Sequence, residues 1–127
     1  MKKNLNLIKS ELQQFCGTDQ MYFGINKNSI YTDGFKYFIA PEQAGAYWFY
    51  DIIQTEVYDT LKKHGKLDVF YLTLDTKNEA CDIILKDYKN KVLFKRHIGY
   101  TDAPSGEITF ICGWDGDKLT TCLISEN

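Results

Sequence analysis

Arginine is almost missing from this chain, with Arg96 the sole example in 127 residues. Proteins that read phosphates and base edges lean on its bidentate fork, so the composition weighs against a dedicated nucleic-acid reader. Histidine is scarce too (His64 and His97), and the four cysteines, Cys16, Cys81, Cys112 and Cys122, show no C-x-x-C spacing. A zinc site wants paired ligands at short spacing. No metal and no cofactor is therefore expected, and the thiols read as small packing residues. No run approaches the roughly 18 apolar residues of a membrane span. Met1-Lys2-Lys3 leads into Asn4-Leu5-Asn6 rather than an apolar secretory segment. The expectation is a cytoplasmic protein with four reduced cysteines and no membrane contact. A net charge of −2 is too small to draw a polyanion or to imitate one.

What is present is aromatic. Nine Tyr, eight Phe and two Trp make up 15% of the chain, and hydrophobics at 44% with charges at 25% fit a folded domain. Residues 1–127 are long enough for one domain with a real core. In "KNLNLIKSELQQFC" (3–16), Leu5, Ile8, Leu12 and Phe15 form one helical stripe, and Gly17 stands where a left-handed residue ends a helix. "SIYTDGFKYFIA" (29–40) reads as a β-hairpin turning at Thr32-Asp33-Gly34. A second helix is expected from Glu42 or Gln43 to about His64, with Gly65 as its stop. In it Ala46, Phe49, Tyr50, Ile53, Val57 and Leu61 share one arc, and Asp51, Thr55, Asp59 and Lys62 the opposite one. Trp48 and Ile52 fall near the polar side.

From Leu67 the hydrophobic period changes to two. "LDVFYLTL", "EACDIILK", "KVLFKRHI", "EITFICG" and "KLTTCLI" are separated by turn residues at Thr76–Asn78, Tyr88–Asn90, Ala103–Gly106 and Asp115-Gly116. Short links demand antiparallel neighbours. The expected fold is α+β: an N-terminal helix and β-hairpin, then a central helix packed on a five-stranded antiparallel meander. A two-residue turn at Asp115-Gly116 sets Cys112 opposite Leu119 and Cys122 opposite Thr109.

No residue set carries a catalytic signature. Asp115-Gly116-Asp117 has too few oxygens for a calcium loop and reads as a hairpin turn. His97 has no Asp, Ser or Cys fixed beside it by local spacing. Between Lys86 and Arg96 the basic residues outnumber Asp87, and alternation sets Lys91, Lys95 and His97 on one face. That face is either a solvated sheet surface or a strip for an acidic protein or an RNA backbone. Trp48 either packs on the N-terminal elements or serves as a partly exposed anchor. Trp114, before the last turn, is folded back or offered to a partner.

Four stretches carry a further resemblance: "QQFCGTDQ" (13–20), "SIYTDGFKYFIA" (29–40), "AGAYWFYD" (44–51) and "HIGYTDAPSGEITFI" (97–111). In order and spacing they resemble a family of short bacterial proteins of unknown function that also occur in phages and other mobile elements. Cys16 stands where that family usually has Thr, and Pro41 lies in the run before the helix. The resemblance implies an order of elements and no catalytic residue. Its mobile-element context implies a non-enzymatic protein that inhibits or modulates a host effector, of the anti-defence or anti-CRISPR type, by direct binding. The partner is then a host protein or ribonucleoprotein, with possible RNA contact. The surfaces expected to meet it are Trp48, Trp114, Lys91, Lys95, Arg96 and the Tyr31–Asp33 turn. The alternative is a nucleic-acid-binding accessory protein using the Lys86–Arg96 strip, with Tyr88, Tyr100 or Trp114 as stacking partners.

Overall fold

The computed structural model describes residues 4–126; Lys3, the expected start of the first helix, lies outside them. Helix α1 (Leu5–Leu12) opens on Asn4, whose Oδ1 accepts from Leu7 N at 2.9 Å, a side-chain cap of an otherwise orphaned N–H. Leu5, Ile8 and Leu12 are its buried stripe. It ends at Leu12, earlier than expected, and Phe15 continues the stripe from a turn by packing on Tyr37 at 5.3 Å.

The hairpin expected over 29–40 is not formed. Ser29–Tyr31 is strand β2, but Thr32 is a helix cap and Asp33–Ile39 is helix α2. The same Thr-Asp-Gly suits either role, and Phe35, Phe38 and Ile39, spaced i, i+3, i+4, decide for the helix by burying one face. The true hairpin pairs β2 with the short β1 (Tyr22–Phe23). Gly34 is not there for a turn. A Cβ on it would stand 2.5 Å from Leu123 Cδ1 and 2.7 Å from Glu126 Oε1. Glu126 comes this close because its carboxylate accepts from Thr32 Oγ1, from Gly34 N at 2.9 Å and from Leu123 N at 3.0 Å. A carboxylate at a helix N-terminus meets N–H groups and the positive dipole end together. Asp33, one residue along, accepts from Asp19 N at 2.8 Å and Tyr22 Oη at 2.9 Å.

The central helix starts later than expected. Residues 41–46 form a compact turn in which Gln43 N and Gly45 N both donate to Ala40 O. Gly45 takes a φ of 61°, a conformation that costs glycine little. The buried Ala44 and Ala46 tuck this turn against the core. Helix α3 (Tyr47–Ile52) then passes through a π-helical turn (Ile53–Val57) into α4 (Tyr58–Leu61). The wider turn rotates the register, so Ile52, Ile53 and Gln54 are buried in succession. This corrects the polar-side placement of Ile52. Gln54 receives two bonds from Asn26, one to its carbonyl at 2.9 Å and one to Oε1 at 3.1 Å. The π turn thereby holds the loop before β2.

Five further strands follow: β3 (Val69–Lys77), β4 (Ala80–Lys86), β5 (Val92–Ile98), β6 (Gly106–Asp115) and β7 (Lys118–Leu123). All pairs among them are antiparallel, but the order β1-β2-β7-β6-β3-β4-β5 is not a simple meander. After β5 the chain crosses back to pair β6 with β3, and β7 then lies parallel to β2. Residues 99–105 make this possible: three strand spacings are about 14 Å, well within the reach of seven extended residues, about 23 Å. The last hairpin also differs. Asp115 pairs with Lys118, so the turn is Gly116-Asp117, with Gly116 at φ 62° in the first central position, where a type II′ turn favours glycine. Cys112 therefore faces Thr121 and Cys122 faces Ile111, not Leu119 and Thr109.

The helices lie on one face of the sheet. Phe110 of β6 meets Phe35 at 5.1 Å, Phe38 at 5.0 Å and Phe49 at 5.7 Å, tying α2 and α3 to the centre of the sheet. Ile53, Val57 and Leu61 extend that layer over Phe70, Leu72 and Leu85, all buried. The registers set Phe23, Ile30, Tyr71, Ile111 and Cys122 on the opposite face.

Two outcomes follow from this packing. Val57→Ala removes a fully buried side chain and destabilises by roughly 1–3 kcal/mol, whereas Asp59→Ala, on the exposed arc, costs within about 0.5 kcal/mol; urea melts rank the two. The second outcome concerns acid. The Asp19 N–H bond, then that from Tyr22, holds the Asp33 carboxyl below its ordinary value. A depressed carboxyl adds stability above its unfolded pKa of about 3.9 and loses it as pH falls through the folded value. Between about pH 4 and pH 2, Asp33→Asn should lose less stability than wild type in pH-dependent urea melts; equal acid losses would remove Asp33 from the account.

Candidate partner-binding groove

The basic strip is split by the pleat. Lys95 and His97 face away from the helices, while Arg96 turns toward them and ion-pairs with Glu56 of the π turn. On the outer face His97 Nδ1 lies 2.9 Å from Asp82 Oδ1, and this contact holds the Asp82 carboxyl below its usual range. Lys91 lies in the turn before β5, where its N–H donates to Asp87 Oδ1 at 2.9 Å. The expectation that Lys91, Lys95 and Arg96 act as one strip is thus corrected: the guanidinium is on the other side and engaged. Tyr31 is also displaced from its expected role, because its ring is buried against Tyr50 at 4.5 Å. Asp33 is half-buried and serves the α2 cap. Trp114 folds back toward the helices, 5.7 Å from the Tyr58 ring with Lys66 over it, and its indole N–H has no hydrogen-bond partner among the described residues.

Trp48 has a different setting. Half-buried, it lines a groove of about 550 Å³ with Asp51 and Ile52 of α3, Arg96 and Ile98 of β5, and Tyr100, Thr101 and Asp102 of the loop after β5. Positions 48, 51 and 52 are i, i+3 and i+4 of one helix, hence neighbours along one wall. Asp51 Oδ1 accepts from Gln54 Nε2 at 3.0 Å, so the π turn that buries Gln54 also orients this carboxylate. The opposite wall is a pinned loop. Thr101 N donates to Glu79 O at 2.6 Å and Ala103 N to Thr101 Oγ1 at 3.1 Å. With Thr101 and Ala103 buried, the alternate positions Tyr100 and Asp102 are exposed, Tyr100 to 70%. The sequence reading singled out Trp48 and weighed Tyr100 but had no means to join them, because the crossover brings them together. Asp51 and Ile52 read in the sequence only as the helix's polar side, and nothing there joined Ile98 or Asp102 to them.

A second depression of about 510 Å³ lies between α1 and the end of β7, where Leu12, Ile108, Leu123 and Ile124 meet Lys9, Gln13 and Glu107, and it holds no aromatic side chain. Among the described residues no group of three or more His, Cys, Asp or Glu is arranged to hold a metal ion, and no helix is long and apolar enough to cross a membrane. Burial pushes the thiols of Cys81 and Cys122 up to about 11 and that of Cys112 to about 12, far from the thiolate that nucleophilic chemistry uses.

A mixed-sheet α+β chain with helices on one face and a groove at the sheet's edge is the class that this geometry defines. The chain belongs to the family of unknown function DUF6876, whose model matches residues 6–127. No curated protein and no solved structure matches it.

The cysteine geometry sets an outcome of its own. All four are free, and only Cys16 is exposed. Alkylation without reductant, read by mass spectrometry, should add one label quickly to the native protein and four to the unfolded one; two labels after unfolding would reveal a disulfide.

Proposed function

We propose that this protein works by binding rather than by catalysis, docking on a host protein or ribonucleoprotein and so inhibiting or modulating it. The observation that carries this reading is the Trp48–Tyr100 groove. It sets two large aromatic groups, one half-buried and one exposed, over the apolar Ile52 and Ile98 with charges at hand. Aromatic anchors in a partly desolvated pocket with a polar surround are the composition of binding hot spots. The anti-defence or anti-CRISPR role rests on the mobile-element context that the motif resemblance implies. It is the narrowest part of the proposal.

The nucleic-acid reading has less behind it. Arg96 is engaged by Glu56 and His97 by Asp82, and the lysines that line a depression with aromatics, Lys62 and Lys66 beside Tyr58 and Trp114, lie outside the Lys86–Arg96 strip, with Lys66 paired to Asp117. Its Tyr88 is exposed, but at the turn before β5 with Lys89 over its own ring.

Capture of the partner from host lysate separates the two. On the proposed reading, capture changes little as salt rises from about 50 to about 200 mM, where phosphate-driven binding falls steeply. Trp48→Ala and Tyr100→Ala should each weaken it by about tenfold or more, with the double charge reversal of Lys91 and Lys95 nearly neutral. Steep loss of capture over that salt range, or sensitivity to the lysines with indifference to Trp48, would overturn it.

A further inference from the structure

We propose that the partner protein joins the sheet as an extended segment, an eighth strand laid along β5 that sets alternate side chains into the groove, an assignment that rests on the docking reading above. The sheet has two edges. β1 is two residues long, whereas β5 offers seven. The hairpin before β5 fixes which of its main-chain groups are open. Asn78 and Glu79, at φ 52° and 64°, form a two-residue turn closed by Lys77 and Ala80, so Ala80 bonds to Lys77 through both its main-chain groups. Alternation then points Cys81, Ile83 and Leu85 at β5, where they meet Ile98, Arg96 and Phe94. The bond from Asp87 N to Lys91 O keeps the same parity. The N–H and C=O of Lys95 and His97 therefore point out of the open edge of the sheet.

Such a row of alternating donors and acceptors is matched by another extended main chain. The groove says which side chains that chain should carry. It lies between α3 and this same strand, with Arg96 and Ile98 on its sheet side. A strand laid about 4.8 Å beyond β5 carries its helix-face side chains alongside Ile98, toward Trp48 and Ile52. That lining favours bulky apolar residues at i and i+2, with the main chain giving affinity and the pocket specificity. The wall is also preset, because the loop bearing Tyr100 is held by bonds from Thr101 N and Ala103 N, which spares part of the ordering cost of binding. A second copy of this chain is a poor occupant. Pairing β5 with itself about its centre sets Lys95 against Lys95, and like charges directly opposite repel. A different partner uses the main chain of Lys95, whose side chain stays on the outer face.

The test uses the full chain and a capped peptide, acetyl-Ser-Phe-Thr-Leu-Thr-Ser-amide, whose Phe and Leu share one face when extended. A control, acetyl-Ser-Thr-Phe-Leu-Thr-Ser-amide, has the same composition but splits them between faces. Two-dimensional NMR should show saturable shifts of the Trp48 indole with the first peptide and not with the control. Amide exchange at Lys95 and His97 should slow by about tenfold when about nine-tenths of the chain is bound, because the free fraction alone exchanges. The amides of Phe94, Arg96 and Ile98, already directed at β4, should slow far less. Equal slowing along β5, unchanged exchange at Lys95 and His97, or a control that binds as well would each overturn strand addition. In capture of the partner, Lys95→Pro removes an edge N–H that the fold leaves unpaired and should weaken binding by about tenfold, with Lys95→Ala nearly neutral. Undiminished capture by a folded Lys95→Pro overturns the assignment; should that variant fail to fold, the exchange pattern decides. A dimer in sedimentation that charge reversal at Lys95 strengthens would give the edge to a second copy, which also overturns it. A silent peptide with capture still lost on Trp48→Ala sinks strand addition alone. Capture unaffected by both Trp48→Ala and Tyr100→Ala sinks the docking reading instead.

Discussion

The burial of Phe110 is the interaction on which the rest depends. It lies on β6 at the middle of the sheet and touches rings from two helices, Phe35 and Phe38 of α2 and Phe49 of α3. Each of these four rings is essentially inaccessible to water, and aromatic pairs at such distances add to what area burial alone contributes. With Phe110 in place, α3 has one orientation available, because Phe49, Ile53 and Val57 must follow the same face down the sheet. Trp48, one position before Phe49, is then turned to the side and toward β5. The groove is a by-product of how the core is filled.

Much of this was legible in the chain. The arc of Ala46, Phe49, Tyr50, Ile53, Val57 and Leu61 is buried as its spacing indicates, and the strands lie near their expected positions. Local chemistry misled at Thr32-Asp33-Gly34. A turn and a helix cap use the same residues; burial of Phe35, Phe38 and Ile39 decides for the helix, and Glu126, distant in sequence, completes its cap. The π turn was hidden for a related reason. Its extra residue is stabilised by Asn26, a loop side chain that no periodicity within the helix can report.

The site was legible only in pieces. Trp48 stood out by its type and its off-arc position, and Tyr100 by its place before a turn. Their meeting depends on β6 skipping back to β3, which sends residues 99–105 across the end of the sheet. Short links favour adjacent strands, but seven residues permit other orders, and β6 takes the place between β7 and β3. Arg96 shows the converse. Its charge was plain in the sequence, but the pleat that turns it from Lys95 toward Glu56 depends on register with β4.

The parallel pairing of β2 with β7 has a consequence for the order in which the molecule is built. Ser29–Tyr31 aligns with Leu119–Thr121, and the carboxylate completing the α2 cap belongs to Glu126. During synthesis the first third of the chain therefore emerges with one strand edge open and a helix end unfinished. Neither is closed until residues 119–126 have joined it. Long-range pairings of this kind defer their reward until the chain entropy has been lost, which slows folding. Until residues 119–126 arrive, an exposed edge at β2 is a place for errant strand pairing.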